Sequence, residues 1–265
     1  MSSTNIAVKH APGGFVTAEV LRSEQISPHL VRVTVGGDDL ARYTFQGFDQ
    51  WFRLAIPVGG GTRFDNLPER IDMPGYLRYL ALPKGTRPVL RNYTARAYRA
   101  GARELDIDFV VHGDEGVAGP WARVARPGES VALLDQGRGY SPVPADWQLL
   151  VGDESALPAV AGILRDMPRD AVGHAVVELP DAADAQPTGA PEGMRVHWVV
   201  RPHGTPPGQT ALAAAKALDR PAGEPYAFAA GESSLATGVR RWLVRDLGVD
   251  KSRVTFCGYW RQGHG

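Results

Sequence analysis

From residue 15 to about 135, apolar and polar positions alternate in short runs: FVTAEVLRS, LVRVTVGG, WFRLAIPV, PVLRNYTARAYR, ELDIDFVVHG and SVALLDQ, separated by Gly, Pro and Asp turns. Period-two alternation rich in Val, Tyr, Phe and Thr predicts strands, and six such runs in so short a stretch predict a small closed antiparallel barrel. The stretch 59–87 has no clean periodicity and reads as a long loop with a functional role.

After Trp147 the rhythm changes to apolar runs followed by helical patterns. LLVGD leads into SALPAVAGILRDM, AVVELP follows, VHWVVR leads into QTALAAAKALD, YAFAAGE into SSLATGVRRWLVRDLG, and VTFCGYW comes last. Five buried strands with intervening helices predict a parallel sheet; the Pro-, Asp- and Ala-rich connection before VHWVVR reads as a loop with little helix. Ligands on such a sheet bind at the carboxyl ends of the strands, which places Gly152, Asp153, Arg201, Gly231 and Glu232 on one rim. The expected division is a barrel domain over 1–143 and an α/β domain over 144–265.

The balance of 29 Lys and Arg against 29 Asp and Glu gives no global field to gather nucleic acid or anionic lipid. No secretory signal and no long apolar run are present, so the expectation is a cytoplasmic protein that does not insert into membranes. Cys257 is the only cysteine, which excludes an internal disulfide and a four-cysteine iron–sulfur cluster. No His/Cys cluster has metal-ligand spacing, so any electron transfer calls for an organic cofactor.

Three segments carry candidate chemistry. In Arg91-Asn92-Tyr93-Thr94 an aromatic ring, a hydroxyl and a guanidinium lie within four residues, a set that suits a flavin: ring on ring, hydroxyl on the polar edge, guanidinium on phosphate. Asp108-Phe109-Val110-Val111-His112-Gly113 then runs into Gly116-Val117-Ala118-Gly119-Pro120-Trp121, where a glycine-punctuated loop opens a short helix and offers main-chain N–H groups to a pyrophosphate. In LLVGDESALPA, Ser155 is placed to cap a helix with Pro158 in its first turn; the acidic pair Asp153-Glu154 would repel a phosphate seated there.

In this order, RNYTARAY, DIDFVVHG, GPWA, LLVGDESALPAVAGIL, VHWVVR, AAGE and GYWRQG resemble the siderophore-interacting protein family within the ferredoxin-reductase-like superfamily. The resemblance implies a six-stranded FAD-binding barrel plus an NAD(P)H-binding α/β domain that reduces ferric siderophores and releases Fe(II). It implies that Arg91, Asn92, Tyr93 and Thr94 hold the flavin, with Tyr93 and Thr94 at the reacting edge. Asp108, Phe109, Val110 and His112, with Val117, Ala118, Gly119 and Trp121, would serve its phosphates and adenosine side. Asp153, Arg201, Gly231, Glu232, Tyr259 and Trp260 would line the nicotinamide approach. An anionic ferric siderophore would draw on Arg53, Arg96, Arg99 and Lys251 as candidate cations. The electron donor is open between NADH, NADPH and a ferredoxin-like protein: Glu178, ending the second strand of the α/β half, suits a ribose diol, whereas Arg201, Arg240 and Arg241 suit a 2′-phosphate. A general reductase serving a protein partner and a binding module without turnover are the rival readings. Gln136-Gly137 departs from the Gly-Pro pair expected at the domain hinge.

Overall fold

The computed structural model describes residues 4–7, 14–111, 113 and 116–263. Seven strands form the first sheet: β1 (Val16–Ser27), β2 (Leu30–Gly36), β3 (Trp51–Ile56), β4 (Val89–Thr94), β5 (Ala97–Arg99), β6 (Glu104–Val110) and β7 (Ser130–Asp135). They pair antiparallel in the order β4-β3-β7-β1-β2-β6-β5. All six predicted runs are strands, and the run LRNYTARAYR supplies two of them because it bends at residues 95–96. There Ala95 N–H donates to Gln50 O at 2.8 Å, while the next residue, Arg96, donates to Asp106 O at 3.0 Å. One continuous segment therefore stands at both edges of the sheet and closes it into a barrel, which removes the open edges. Val20, Val33, Phe52, Leu54, Ile107, Phe109 and Leu133 fill the interior with no exposed surface.

The loop expected over 59–87 contains a helix, α1 (Met73–Ala81). Asp72 caps it by accepting from Gly75 N–H at 2.9 Å, and Pro74 sits in the first turn, where its missing N–H costs nothing. Its inner face is short of large side chains, which hides the helical period. Gly75 lies so close to Arg70 O that a Cβ would stand 1.8 Å away, and Tyr79 is anchored by its hydroxyl donating to Pro88 O at 2.8 Å. Met73, Tyr76, Leu77 and Leu80 face outward. A second helix, α2 (Ala118–Val124), follows β6.

The second sheet is parallel: β8 (Trp147–Gly152), β9 (Gly173–Leu179), β10 (Met194–Val200), β11 (Pro225–Glu232) and β12 (Val254–Trp260), in the order β10-β9-β8-β11-β12. Helices α3 (Leu157–Asp166), α4 (Gln209–Ala217) and α5 (Ser233–Arg241) connect them. The chain runs outward from β8 to β10 and then returns to the other side of β8, so the switch point lies between the carboxyl ends of β8 and β11.

Buried carboxylates join the two sheets. Asp184, in the β9–β10 connection, accepts from Ser27 Oγ at 2.7 Å, His29 N–H at 2.9 Å and His29 Nδ1 at 2.7 Å. Asp166 accepts from Phe48 N–H at 2.6 Å, and Arg165 donates to Arg96 O at 2.8 Å. Asp49 accepts from the N–H groups of Gly139 (3.0 Å) and Tyr140 (2.9 Å) and so pins the inter-sheet linker to the barrel.

Candidate functional site

On β4 the expected flavin residues separate by environment. Arg91 and Asn92 are exposed, Tyr93 is half-buried and Thr94 is 7% exposed. The Tyr93 ring lies tilted against Phe109 with centroids 4.3 Å apart, and Phe109 meets Trp121 edge-on at 5.6 Å; burial raises the Tyr93 hydroxyl above its ordinary pKa, so it stays protonated. Arg91 has no carboxylate partner among the described residues and donates only to Leu90 O. In the sheet Arg91 pairs with Leu54 of β3.

Gly113 and Gly116 have φ of +56° and +80°, and among the described residues nothing lies within 4 Å of where a Cβ would stand on either and no side chain caps the start of α2. Main-chain N–H groups at such a helix start suit a diphosphate, as does a guanidinium without a carboxylate partner among the described residues, such as Arg91. His112 lies outside the described residues. Other members of the expected set are already engaged. Asp108 is held bidentate by Arg32 at 2.7 and 2.8 Å, and Phe109 is core packing, so neither side chain is free for a cofactor. Trp121 donates from its indole to Glu129 at 3.0 Å, Val117 stands at the head of α2, and a Cβ at Gly119 would lie 3.4 Å from Val110 O.

At the switch point the structure corrects the expected helix cap. Ser155 does not cap α3, which starts at Leu157 without a side-chain cap; Asp153 instead closes the turn before it, its Oδ1 accepting from Ser155 N–H (3.0 Å), Ser155 Oγ (2.6 Å) and Ala156 N–H (3.3 Å). Its Oδ2 accepts from Glu232 N–H (2.6 Å) and the Trp260 indole (3.0 Å), so one fully buried carboxylate ties β8, β11 and β12 together. Gly231 permits this: at φ +118° a Cβ there would lie 2.5 Å from Asp153 Cγ. Glu232 caps α5 through Ser234 and Leu235; burial pushes its carboxyl up, but these donors outweigh it and hold the group below the usual range. Arg201 bridges Glu154 (3.0 Å) and Glu178 (2.9 Å), and Glu178 also accepts from Gly208 and Ala211 N–H at the head of α4. The expected rim residues are brought together, yet Asp153, Glu232, Glu178 and Arg201 are spent mainly on one another and on helix starts.

Tyr259 of the last strand keeps 37% of its surface exposed, while burial of its hydroxyl end pushes its pKa well up, with the nearby Thr94 side chain offsetting a small part. Thr94 pairs with Trp51, whose N–H donates to Gly137 O at 2.9 Å, so the linker passes the same spot. Gln136 fills the hinge. It is fully buried, donates to Asp135 O, and leaves its own Oε1 without a partner among the described residues.

The four candidate cations are dispersed. Arg99 uses Nε, Nη1 and Nη2 on Glu104 and Asp106, and Arg96 is buried beside Asp108 at 3.5 Å. Lys251 is exposed in the turn before β12. Arg53 has no carboxylate partner among the described residues: it makes one long bond to Ile71 O at 3.4 Å, and desolvation lowers its pKa. Arg138, which sequence reasoning missed, lies beside the linker with its guanidinium over the Phe48 ring at 4.8 Å; an RG pair in a turn carries no signal of that placement.

Residues 19–139 match the model of the siderophore-interacting FAD-binding domain, and residues 145–263 match that of the siderophore-interacting protein. The chain is 32% identical over 256 residues to the ferric vibriobactin reductase ViuB of Vibrio cholerae, covering 92% of this chain and 89% of that one. It is 30% identical over 246 residues to the NADPH-dependent ferric-chelate reductase of Escherichia coli, covering 91% of each. A siderophore utilization protein from T. fusca superposes with a TM-score of 0.79 at 34% identity, over 98% of this chain and 97% of that one. The β4 residues and the glycine turn thus lie in a protein that belongs to the siderophore-interacting protein family, with an FAD-binding barrel at its amino-terminal side.

Proposed function

We propose that this chain is an FAD-dependent ferric-siderophore reductase working in the cytoplasm with NADPH as donor. The observation that carries the reading is Arg91, Tyr93 and Thr94 on one strand, with the Tyr93 ring against Phe109, which in turn meets Trp121 of the helix that follows the glycine turn. Bound there, FAD supplies the exchange between two-electron and one-electron chemistry that no side chain of this protein can perform. Tyr93 provides a flat wall held by Phe109, Thr94 a hydroxyl for a polar ring edge, and Arg91 with the main-chain N–H groups a seat for phosphates. Tyr259 covers the approach from the α/β sheet and keeps water from it.

Arg53 and Arg138, neither bound to a carboxylate among the described residues, give an anionic chelate a place to dock. Hard oxygen donors hold Fe(III) far more tightly than Fe(II), so reduction itself unloads the iron and requires no protein ligand. NADPH is favoured over NADH because Glu178, the acid that would oppose a 2′-phosphate, is buried, ion-paired to Arg201 and covered by two N–H donors. The E. coli relative named as NADPH-dependent supports the same choice. The test is anaerobic: the flavin absorbance of purified protein should bleach on adding NADPH and return on adding a ferric siderophore. Bleaching by reduced ferredoxin alone would move the donor to a protein, and bleaching without reoxidation by the chelate would remove the iron function.

A further inference from the structure

We infer that the chain carries a second ligand site, for a small polyanion bearing carboxylate or phosphate groups, on the lower flank of the α/β domain. A cavity of about 370 Å³ opens there, lined by Thr4, Asn5, Thr237, three arginines (Arg240, Arg241 and Arg245), Val244 and Phe256. That volume is within the range of small-molecule sites, roughly 300–1,000 Å³.

The cavity is built from three directions. Asn5 is sewn to β12: its N–H donates to Phe256 O (3.2 Å), its Oδ1 accepts from Phe256 N–H (2.9 Å) and its Nδ2 donates to Val254 O (2.8 Å). Phe256, 5% exposed, forms an apolar floor. The third side is α5 and the π-helical turn that follows it, Trp242–Asp246, where Leu247 N–H reaches back five residues to Trp242 O at 3.2 Å. π-Turns are rare and cluster at functional sites. This one sets Val244 and Arg245 one turn beyond Arg240 and Arg241 over the same opening.

The charge of this opening is uncompensated. None of its lining residues is acidic, and among the described residues none of the three arginines forms an ion pair; Arg240 is fixed instead over the Phe256 ring at 5.0 Å. Elsewhere in the fold, Arg32, Arg99 and Arg201 each meet one or two carboxylates. Basic residues at a helix carboxyl end complement its dipole, which accounts for the sign of the charge but not for a hollow with an aromatic floor. Guanidinium groups around such a hollow select planar carboxylates or phosphates, and three of them favour a ligand with two or more such groups on a compact body.

The site is separate from the nicotinamide rim. Ser233, at the head of α5, donates to Trp260 O at 2.8 Å, whereas Arg240 stands at Phe256, about 10 Å further along the helix axis. Its occupant therefore does not depend on the reductase reading.

The test is calorimetric titration of the full-length, FAD-loaded chain at low salt with citrate and, separately, with pyrophosphate. Saturable 1:1 binding of at least one is expected, weakened at least tenfold by the double change Arg241→Glu and Arg245→Glu. Val244→Trp, which fills the hollow and keeps every charge, should weaken it equally while melting temperature and the KM for NADPH stay at wild-type values. Absence of 1:1 binding by both anions, or unchanged affinity in the double variant, overturns the proposal. So does competition between the bound anion and NADPH, which would make this an arm of the coenzyme site.

Discussion

Asn in place of Asp153 should loosen the α/β sheet at its switch point and change how stability depends on pH. The carboxylate accepts five hydrogen bonds with no solvent exposure: three at Oδ1 from residues 155 and 156, two at Oδ2 from Glu232 N–H and the Trp260 indole. Asparagine has the same shape, and its oxygen can keep the first three. Its amide nitrogen then faces two buried donors, leaving both without an acceptor, at about 1–3 kcal/mol each. Removing a buried charge offsets part of this, so the net loss should be about 2–4 kcal/mol, read as a lower urea midpoint by tryptophan fluorescence with the slope unchanged. A second signature comes from linkage. Burial, and then the neighbouring Glu154 charge, push the Asp153 carboxyl up to about 6 in the folded protein. A raised folded pKa means that proton uptake stabilises the native state at low pH and that this gain is lost as pH rises through about 6. The variant has no such group, so the gap between it and the wild type should widen as pH falls from 7 toward about 4.5. A variant within about 0.5 kcal/mol of wild type at neutral pH, or a gap that does not move with pH, would refute the role assigned to this carboxylate.

Arg91→Ala should weaken FAD retention by about 1.5–3 kcal/mol, on the order of 10- to 150-fold, measured as the flavin dissociation constant by fluorescence. Asp184→Ala strands the donors of Ser27 and His29 between the two sheets, and about 2–4 kcal/mol of stability should go. Burial raises the Asp184 carboxyl but its three donors win and depress it, so its contribution is present at neutral pH and lost below about pH 4; limited proteolysis of the linker and acid unfolding both read this. Arg53→Gln should raise the KM for an anionic ferric chelate several-fold and flatten its salt dependence, whereas Arg99→Gln should leave it within twofold, because that guanidinium is already committed to Glu104 and Asp106. Equal effects of the two changes would place the chelate elsewhere.

The order of elements was legible because each depends on local periodicity: the six alternating runs are strands of the barrel, and the five apolar runs are the parallel strands. Arg91 and the glycine turn also stood out, since a charged residue in a strand and paired glycines before a helix are local anomalies. The helix α1 was not legible, because Gly75 and Tyr79 are its only buried residues and its large apolar side chains face solvent. Nor could sequence alone say which polar groups are spent. Asp108, Arg99, Arg201 and Glu178 look like ligand residues in one dimension, and each meets a partner 5 to 76 residues away in sequence. Asp49 and Asp184 look unremarkable there and Asp153 looks like a ligand residue of the rim, yet they hold the linker, the two sheets and the switch point together. Periodicity is a property of neighbours along the chain, whereas the satisfaction of a buried charge is settled only by what tertiary packing brings to it.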